Sequence, residues 1–205
     1  MTSKGRLSDS ELLKLMLAGR EEALSILYGR RQRDIYRFAM QMTGSPEISE
    51  DVTQEVFMVL IRNGATFDEG RGSVNSFLLG IARNLVRQRI SRERLFVSLN
   101  TETDDTAVAD EIQNSSNFND ELARHEIIES VRKAVLTLPT RYREVVVLCE
   151  LQEMSYSEAA NVLNCALGTV RSRLHRARAL LLKKLRPASE RNVAPATVRS
   201  ARCVA

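Results

Sequence analysis

The sequence predicts an all-α chain: two small helical domains joined by a flexible acidic linker. Three observations predict it. Apolar residues recur at helical spacing through residues 8–96 and again through 122–186. They are mostly Leu, Val, Ile and Ala; aromatics make up 5% and Trp is absent, which suits helices packed through aliphatic ridges. Charge is uneven along the chain. Residues 1–96 carry 15 basic and 12 acidic side chains, residues 97–123 carry seven acidic and none basic, and residues 124–205 carry 15 basic and seven acidic. The overall net charge of +4 hides two basic blocks separated by an acidic segment, the pattern expected of two modules that meet polyanions.

The elements follow in order. "SELLKLMLAG" puts Leu12, Leu13, Met16 and Leu17 on one helical face, with Gly19 as its stop. "EEALSILYGRRQRDIYRFAMQMTG" continues with Leu24, Leu27 and Tyr28, then Ile35, Phe38, Ala39 and Met42, and Gly44 ends it. Ser45-Pro46 gives an N-cap and a proline at the first helical position, where its missing N–H costs nothing. The next helix has Val52, Val56, Val59 and Leu60 on one face and Glu47, Glu50, Asp51, Gln54 and Glu55 on the other. "GATFDEGRGS", with three glycines, is a loop. "SVNSFLLGIARNLVRQRISRERL" resumes as a helix with Phe77, Leu78, Ile81, Leu85 and Ile90 inward and Arg83, Arg87, Arg89, Arg92 and Arg94 around the remainder.

Residues 97–121 lose all sustained periodicity and are rich in Thr, Asn, Ser and Asp, so they read as a linker. Helical spacing returns with Leu122, Ile127 or Ile128, Val131, Val135 and Leu138, and Pro139 opens the next helix. "SYSE" at 155–158 is a capping box that starts a short helix. Asn164 tolerates the left-handed conformation of a tight exit. The segment 187–205 is weakly patterned and reads as a disordered tail.

Several function classes fall away. Cys149, Cys165 and Cys203 are odd in number and far apart in sequence, and with two histidines they build neither a disulfide framework nor a zinc site. No metal and no cofactor is expected. There is no Gly-rich phosphate loop, metal-carboxylate set or nucleophile–base pair, so no catalytic residues are assigned and an enzyme is not expected. No run approaches the roughly 20 apolar residues of a membrane span, and the first 20 residues lack the apolar run of a signal peptide; a cytoplasmic protein without membrane insertion is expected.

The stretch "GTVRSRLHRARALLLKKLR", 168–186, carries seven basic side chains and no acidic one. Taken alone, such a run is usually a solvated face. Here Val170, Leu174, Ala177 and Leu181 form a docking stripe, and a short capped helix with small Ala160 precedes it. A capped helix, a tight turn and a basic helix make a helix-turn-helix, which favours DNA recognition. Arg can donate two hydrogen bonds to guanine, and Ser or Thr can meet phosphates or bases. Leu181, Leu182 and Leu185 are expected to face the core, with Lys183, Lys184 and Arg186 as general contacts to phosphate or to a protein partner.

At these residues the chain resembles a known family. "LPTRYREVVVLCELQEMSYSEAANVLNCALGTVRSRLHRARALLLKKL" (138–185) is similar to region 4 of bacterial extracytoplasmic-function (ECF) sigma factors of the sigma-70 family. "GSPEISEDVTQEVFMVLIRN" (44–63) and "FDEGRGSVNSFLLGIARNLVRQRI" (67–90) are similar to their region 2. The resemblance covers about residues 8–186 in the family's order. It implies a factor that binds core RNA polymerase, directs it to promoter DNA and helps open the duplex, under control of an anti-sigma factor, soluble or membrane-bound. It places −35 reading on Thr169, Arg171, Ser172, Arg173, His175, Arg176 and Arg178. It places −10 capture on Asn63, Phe67, Arg71, Ser73, Asn75, Arg83, Asn84 and Arg87, around a pocket for a flipped base, which must offer stacking and edge hydrogen bonds in return for unstacking. For Phe77 a core role is favoured over contact. Asp51, Gln54 and Glu55 match the polymerase contact. The acidic linker is either a nucleic-acid mimic in the polymerase channels or a solubilising tether. The chain lacks the tryptophans often found near Phe77 and at the end of the third helix, and has Ala166 where many members have Pro; these departures bear on promoter preference. The competing reading is a stand-alone helix-turn-helix regulator that binds DNA without polymerase.

Overall fold

The computed structural model describes residues 7–100 and 119–185. The described residues form eight α-helices and no strand. The tail and most of the linker, 101–118, lie outside them.

Helix α1 (Asp9–Leu17) starts at a capping box in which the Glu11 carboxylate accepts from the Ser8 amide at 2.7 Å and Ser8 Oγ accepts from the Glu11 amide at 3.2 Å. Those bonds hold the Glu11 carboxyl below its usual range. Leu12 and Leu13 are buried and Met16 is half-buried, but Leu17 is 46% exposed, so the inward stripe is narrower than predicted. Gly19 turns the chain at φ +84°.

Helix α2 (Glu21–Thr43) is the central rod of the first unit. Ala23, Leu27, Ile35, Phe38, Ala39 and Met42 are buried along it. Tyr28 is partly exposed and packs its ring on Phe57 with centroids 4.7 Å apart. Helix α3 (Pro46–Asn63) begins as expected, with Ser45 Oγ accepting from the Ile48 amide and Pro46 in the first turn. Val52, Val56 and Leu60 are buried; Phe57 takes the remaining core position and Val59 is only half-buried. The three-glycine loop folds into two short 3₁₀ turns, Gly64–Thr66 and Glu69–Arg71.

Helix α4 (Val74–Asn100) packs against α2 and α3. Leu78 and Leu85 face inward as predicted, with Leu79, Ala82 and Val86 beside them, while Phe77, Ile81 and Ile90 are half-buried. Arg83, expected outside, is 8% exposed. The helix runs four residues into the segment read as linker, and α5 (Asn119–Leu136) begins before that segment ends. Backbone hydrogen bonding extends a helix beyond its last core residue, which a reading based on apolar period does not detect.

In the second unit, Val135 and Leu138 are buried, whereas Ile127 and Ile128 on α5 are exposed at 63% and 47%. Helix α6 (Thr140–Val146) passes into a π-type turn, Val147–Leu151, and α7 (Tyr156–Leu163) and α8 (Leu167–Leu185) complete it. The two units pack on one another. α4 meets α7, and α2 meets both α5 and the π turn. The buried apolar cluster is continuous across this seam.

Candidate nucleic-acid interface

The helix-turn-helix forms as its sequence dictates. Ser155 and Glu158 close the capping box, with the Glu158 carboxylate accepting from the Ser155 amide at 3.0 Å and Ser155 Oγ accepting from the Glu158 amide at 3.2 Å. Asn164 adopts φ 48°, ψ 54° and its amide bonds back to α7. Cys165 then donates its amide to the Ala160 carbonyl at 3.1 Å. Ala160 is buried at the point of helix approach. Val170, Leu174 and Ala177 bury the docking stripe of α8, and Leu181 packs at its edge. Leu182 and Leu185, expected in the core, are exposed at 66% and 39%.

The other face of α8 is open. Arg171, Ser172, His175, Arg176 and Arg178 are exposed, and Thr169 and Arg173 are half-buried at its rim. Two of these are already engaged. Arg178 Nη2 donates to Glu150 Oε1 at 2.5 Å, which raises the guanidinium pKa. Arg176 lies close enough to Tyr142 to lower its phenol pKa, with Arg141 stacked 4.8 Å over the same ring. Ser172 Oγ donates to the Thr169 carbonyl at 3.1 Å, so its hydroxyl oxygen remains free to accept.

The candidates around the glycine loop gather in a cleft of about 830 Å³. Phe67, Arg71, Ser73, Arg83 and Asn84 line one side of it. The opposite side comes from the second unit: Ala160, Asn161, Asn164 and Cys165 of the helix-turn-helix. Phe67 packs on Phe77 with centroids 5.6 Å apart, and Phe77 is half-buried, a core position that also edges the cleft. Asn75 is half-buried with its Oδ1 buried and lacking a hydrogen-bond partner among the described residues. Asn63 lies at the exposed end of α3, where its carbonyl accepts from Thr66 Oγ1 at 2.7 Å. Asn63, Asn75 and Arg87 do not line the cleft.

Three residues that sequence reasoning did not single out shape this region. Glu144 on α6 accepts two hydrogen bonds from Arg83, at 2.9 Å and 3.3 Å. Asn161 donates its side-chain amide to the Arg71 carbonyl at 2.9 Å. Arg89 spans the acidic face of α3, bonding Asp51 at 2.9 Å and Glu55 at 3.1 Å, while Gln54 lies beside them in a shallow groove against α2. A signal for Glu144 existed: it stands directly before the apolar run Val145–Leu148 and four residues ahead of buried Leu148, a register that faces inward.

Among the described residues no cluster of His, Cys, Asp and Glu could hold a metal ion, and no helix is long and apolar enough to cross a membrane.

Comparison with known proteins matches this architecture. The models of sigma-70 region 2 and sigma-70 region 4 match residues 27–96 and 128–181. The chain is 30% identical over 182 residues to the ECF RNA polymerase sigma factor SigW of Bacillus subtilis, covering 85% of this chain and 95% of that one. It is 31% identical to the ECF sigma factor SigM of Mycobacterium tuberculosis over 178 residues, 87% of this chain and 85% of that one. Among solved structures, CnrH in complex with the cytosolic domain of CnrY is similar at a TM-score of 0.62 and 25% identity, covering 85% of this chain and 94% of that one. The sigma factor RpoE of Bartonella quintana, in complex with the anti-sigma factor NepR, shares the fold at a TM-score of 0.58 and 23% identity over 75% of this chain and 91% of that one. With both regions matched in their order and the relatives covered almost end to end, the chain belongs to the ECF RNA polymerase sigma factors of the sigma-70 family.

Proposed function

We propose that this chain binds core RNA polymerase in the bacterial cytoplasm and directs it to promoters through a −35 contact by α8 and a −10 contact by the loop between α3 and α4. The observation that carries this reading is the pairing, in one chain, of an open basic helix-turn-helix face with a region 2 unit that carries both a glycine loop and an acidic α3 face, the latter spanned by Arg89 of α4. A factor that bound DNA alone has no use for that acidic face. The division of labour follows from charge. Thr169, Arg171, Ser172, Arg173, His175, Arg176 and Arg178 meet the duplex at −35. Phe67, Arg71, Ser73 and Asn84, together with Asn63, Asn75, Arg83 and Arg87, serve at −10. Asp51, Gln54 and Glu55 meet a basic surface of the polymerase. The chain acts as an initiation factor without a reaction of its own, and an anti-sigma factor holds it inactive, as solved relatives bound to CnrY and NepR suggest.

Run-off transcription with core polymerase on a promoter library tests the reading. Promoter-specific initiation above core alone is expected. Initiation no better than core alone, combined with tight binding of the free chain to palindromic DNA, would move the chain to the class of stand-alone regulators.

A further inference from the structure

One buried charge pair joins the two units beside the continuous apolar cluster. The Glu144 side chain is 3% exposed and the Arg83 side chain 10% exposed, and they lie 61 residues apart, on α6 and α4. Arg83 grips the carboxylate with Nε and Nη2, and Arg87 Nε stands 3.9 Å from the same Oε1. Among the described ion pairs, these are the ones that join the first unit to the second. The other polar links across the seam involve a neutral side chain or a backbone carbonyl: Asn161 to the Arg71 carbonyl, Gln152 to Gln41 at 3.0 Å, Arg37 to Gln152 at 3.2 Å, and Arg143 to the Met42 carbonyl.

We propose that Glu144 is an internal stand-in for a DNA phosphate, so that the second unit and nucleic acid compete for the same arginines of α4. The proposal rests on the reading of Arg83 and Arg87 as DNA contacts. A guanidinium takes a carboxylate and a phosphate with the same two-pronged geometry. A buried guanidinium stripped of its partner is costly, so Arg83 leaves Glu144 when another anion replaces it. In the closed arrangement Glu144 fills that place, and Asn161, Asn164 and Cys165 stand over the Phe67–Arg71 side of the cleft. The free chain therefore hides its −10 face behind its −35 module. Opening exposes the −10 face, and it happens when polymerase and promoter together supply partners for what the seam had paired.

The test is binding of the free, full-length chain to a fluorescein-labelled single-stranded oligonucleotide of random sequence, read by anisotropy at low salt without polymerase. Glu144→Gln keeps the shape of the contact and removes its charge. It should bind about tenfold tighter than wild type, because one competing anion has gone. Glu126→Gln, the same change of charge at an exposed site of α5, should leave binding as it was. The double variant Asn161→Ala with Gln152→Ala loosens the seam without touching Glu144 and should show a smaller gain in the same direction. Small-angle scattering should report a larger radius of gyration for both opened forms. A folded Glu144→Gln chain that binds the oligonucleotide no better than wild type would overturn the proposal, as would an equal gain in Glu126→Gln. Should Glu144→Gln fail to fold, the absence of any gain in the double variant overturns it instead. The sigma-factor reading fails separately: run-off transcription by the wild-type chain with core polymerase decides that, whatever the oligonucleotide does.

Discussion

A methyl group added to Gly44 would stand 2.9 Å from the Cδ1 carbon of Leu136, so the end of α2 and the end of α5 meet closely enough that a Cβ there would push the Leu136 side chain aside. Gly44 also sits at φ +73°, where it caps α2 by donating to the Met40 carbonyl at 2.8 Å. Two constraints thus fall on one residue. The left-handed conformation costs a residue with a Cβ roughly 1–2 kcal/mol, and Leu136 must rotate away in addition. Gly44→Ala should therefore lower the thermal midpoint by a few degrees (about 2–4 °C per kcal/mol for a chain of this size). Because Leu136 belongs to the second unit, the loss should be accompanied by a looser seam, read as increased protease cutting between the units. A midpoint within about 1 °C of wild type would show that neither constraint operates.

Arg89 bears on how the acidic face of α3 meets its partner. Its pKa is raised, first by the hydrogen bond to Asp51 and then by that to Glu55. Asp51 and Glu55 remain about half exposed, so these pairs are worth less than about 1 kcal/mol in stability. Their larger effect is on the field of the face, which Arg89 partly cancels. Arg89→Ala should leave the melting curve nearly unchanged and tighten core-polymerase binding at low salt, through a faster on-rate, with the gain fading as salt rises. Asp51→Asn with Glu55→Gln should weaken the same binding. Equal loss in both variants would mean that Arg89 itself touches the polymerase.

Most of the fold was legible because its signals are local. The capping box at Ser155, Pro46 after its cap, Gly44 and Asn164 in left-handed turns each satisfy backbone groups within a few residues, and the sequence states them directly, whereas the box at Ser8 emerged only in the structure. The candidate DNA face of the helix-turn-helix was legible as a surface for the same reason, since the buried face of α8 is a periodic stripe. What the sequence did not convey is pairing at a distance. Arg83 reads as one more arginine on a basic helix until Glu144, 61 residues on, takes it into the seam. Likewise Arg89 reads as basic surface until α3 lies beside it. The exposure of Leu182 and Leu185 has the converse cause. Apolar period predicts a face, and whether another helix reaches far enough to cover it is set by relative lengths and crossing angles.

Cys149 offers a pH test. Burial, followed by the nearby Glu150 carboxylate, pushes its thiol up to about 11 from an ordinary value near 9. At neutral pH it is therefore almost entirely thiol and a poor nucleophile. Iodoacetamide at pH 8 should label Cys149 much more slowly than the same residue in urea-unfolded chain, as read by peptide mass spectrometry. The linkage has a definite sign. Between about pH 9 and 11 the unfolded chain gives up this proton while the folded chain keeps it, so folding loses stability as pH rises through that window. Wild type should lose stability relative to Cys149→Ala over that range and not below it. A constant difference from pH 7 to pH 10.5, or rapid labelling of the folded chain, would place the thiol in an environment other than the half-buried one beside Glu150.

The two distal arginines of α8 should behave differently at a −35 element. Arg178 is held by Glu150, a neighbour on the π turn, and that contact commits its guanidinium to a carboxylate. It can lend charge to the duplex but is poorly placed to spend both donors on a guanine. Arg176 leans on a phenol, a weaker and neutral partner, from which it can leave at little cost. Arg176→Ala should cost about 1–3 kcal/mol on its preferred promoter and relax preference at a single −35 position. Arg178→Ala should lower affinity alike for all sequences and reduce the salt slope by about one. Glu150→Gln should move the opposite way, raising affinity without sharpening specificity, because it frees the Arg178 charge. Holoenzyme binding to a randomised −35 library, sequenced before and after selection, separates these outcomes. A uniform loss in Arg176→Ala would make that residue a phosphate contact, and base reading would then rest on Arg171 and Ser172, nearer the start of the helix.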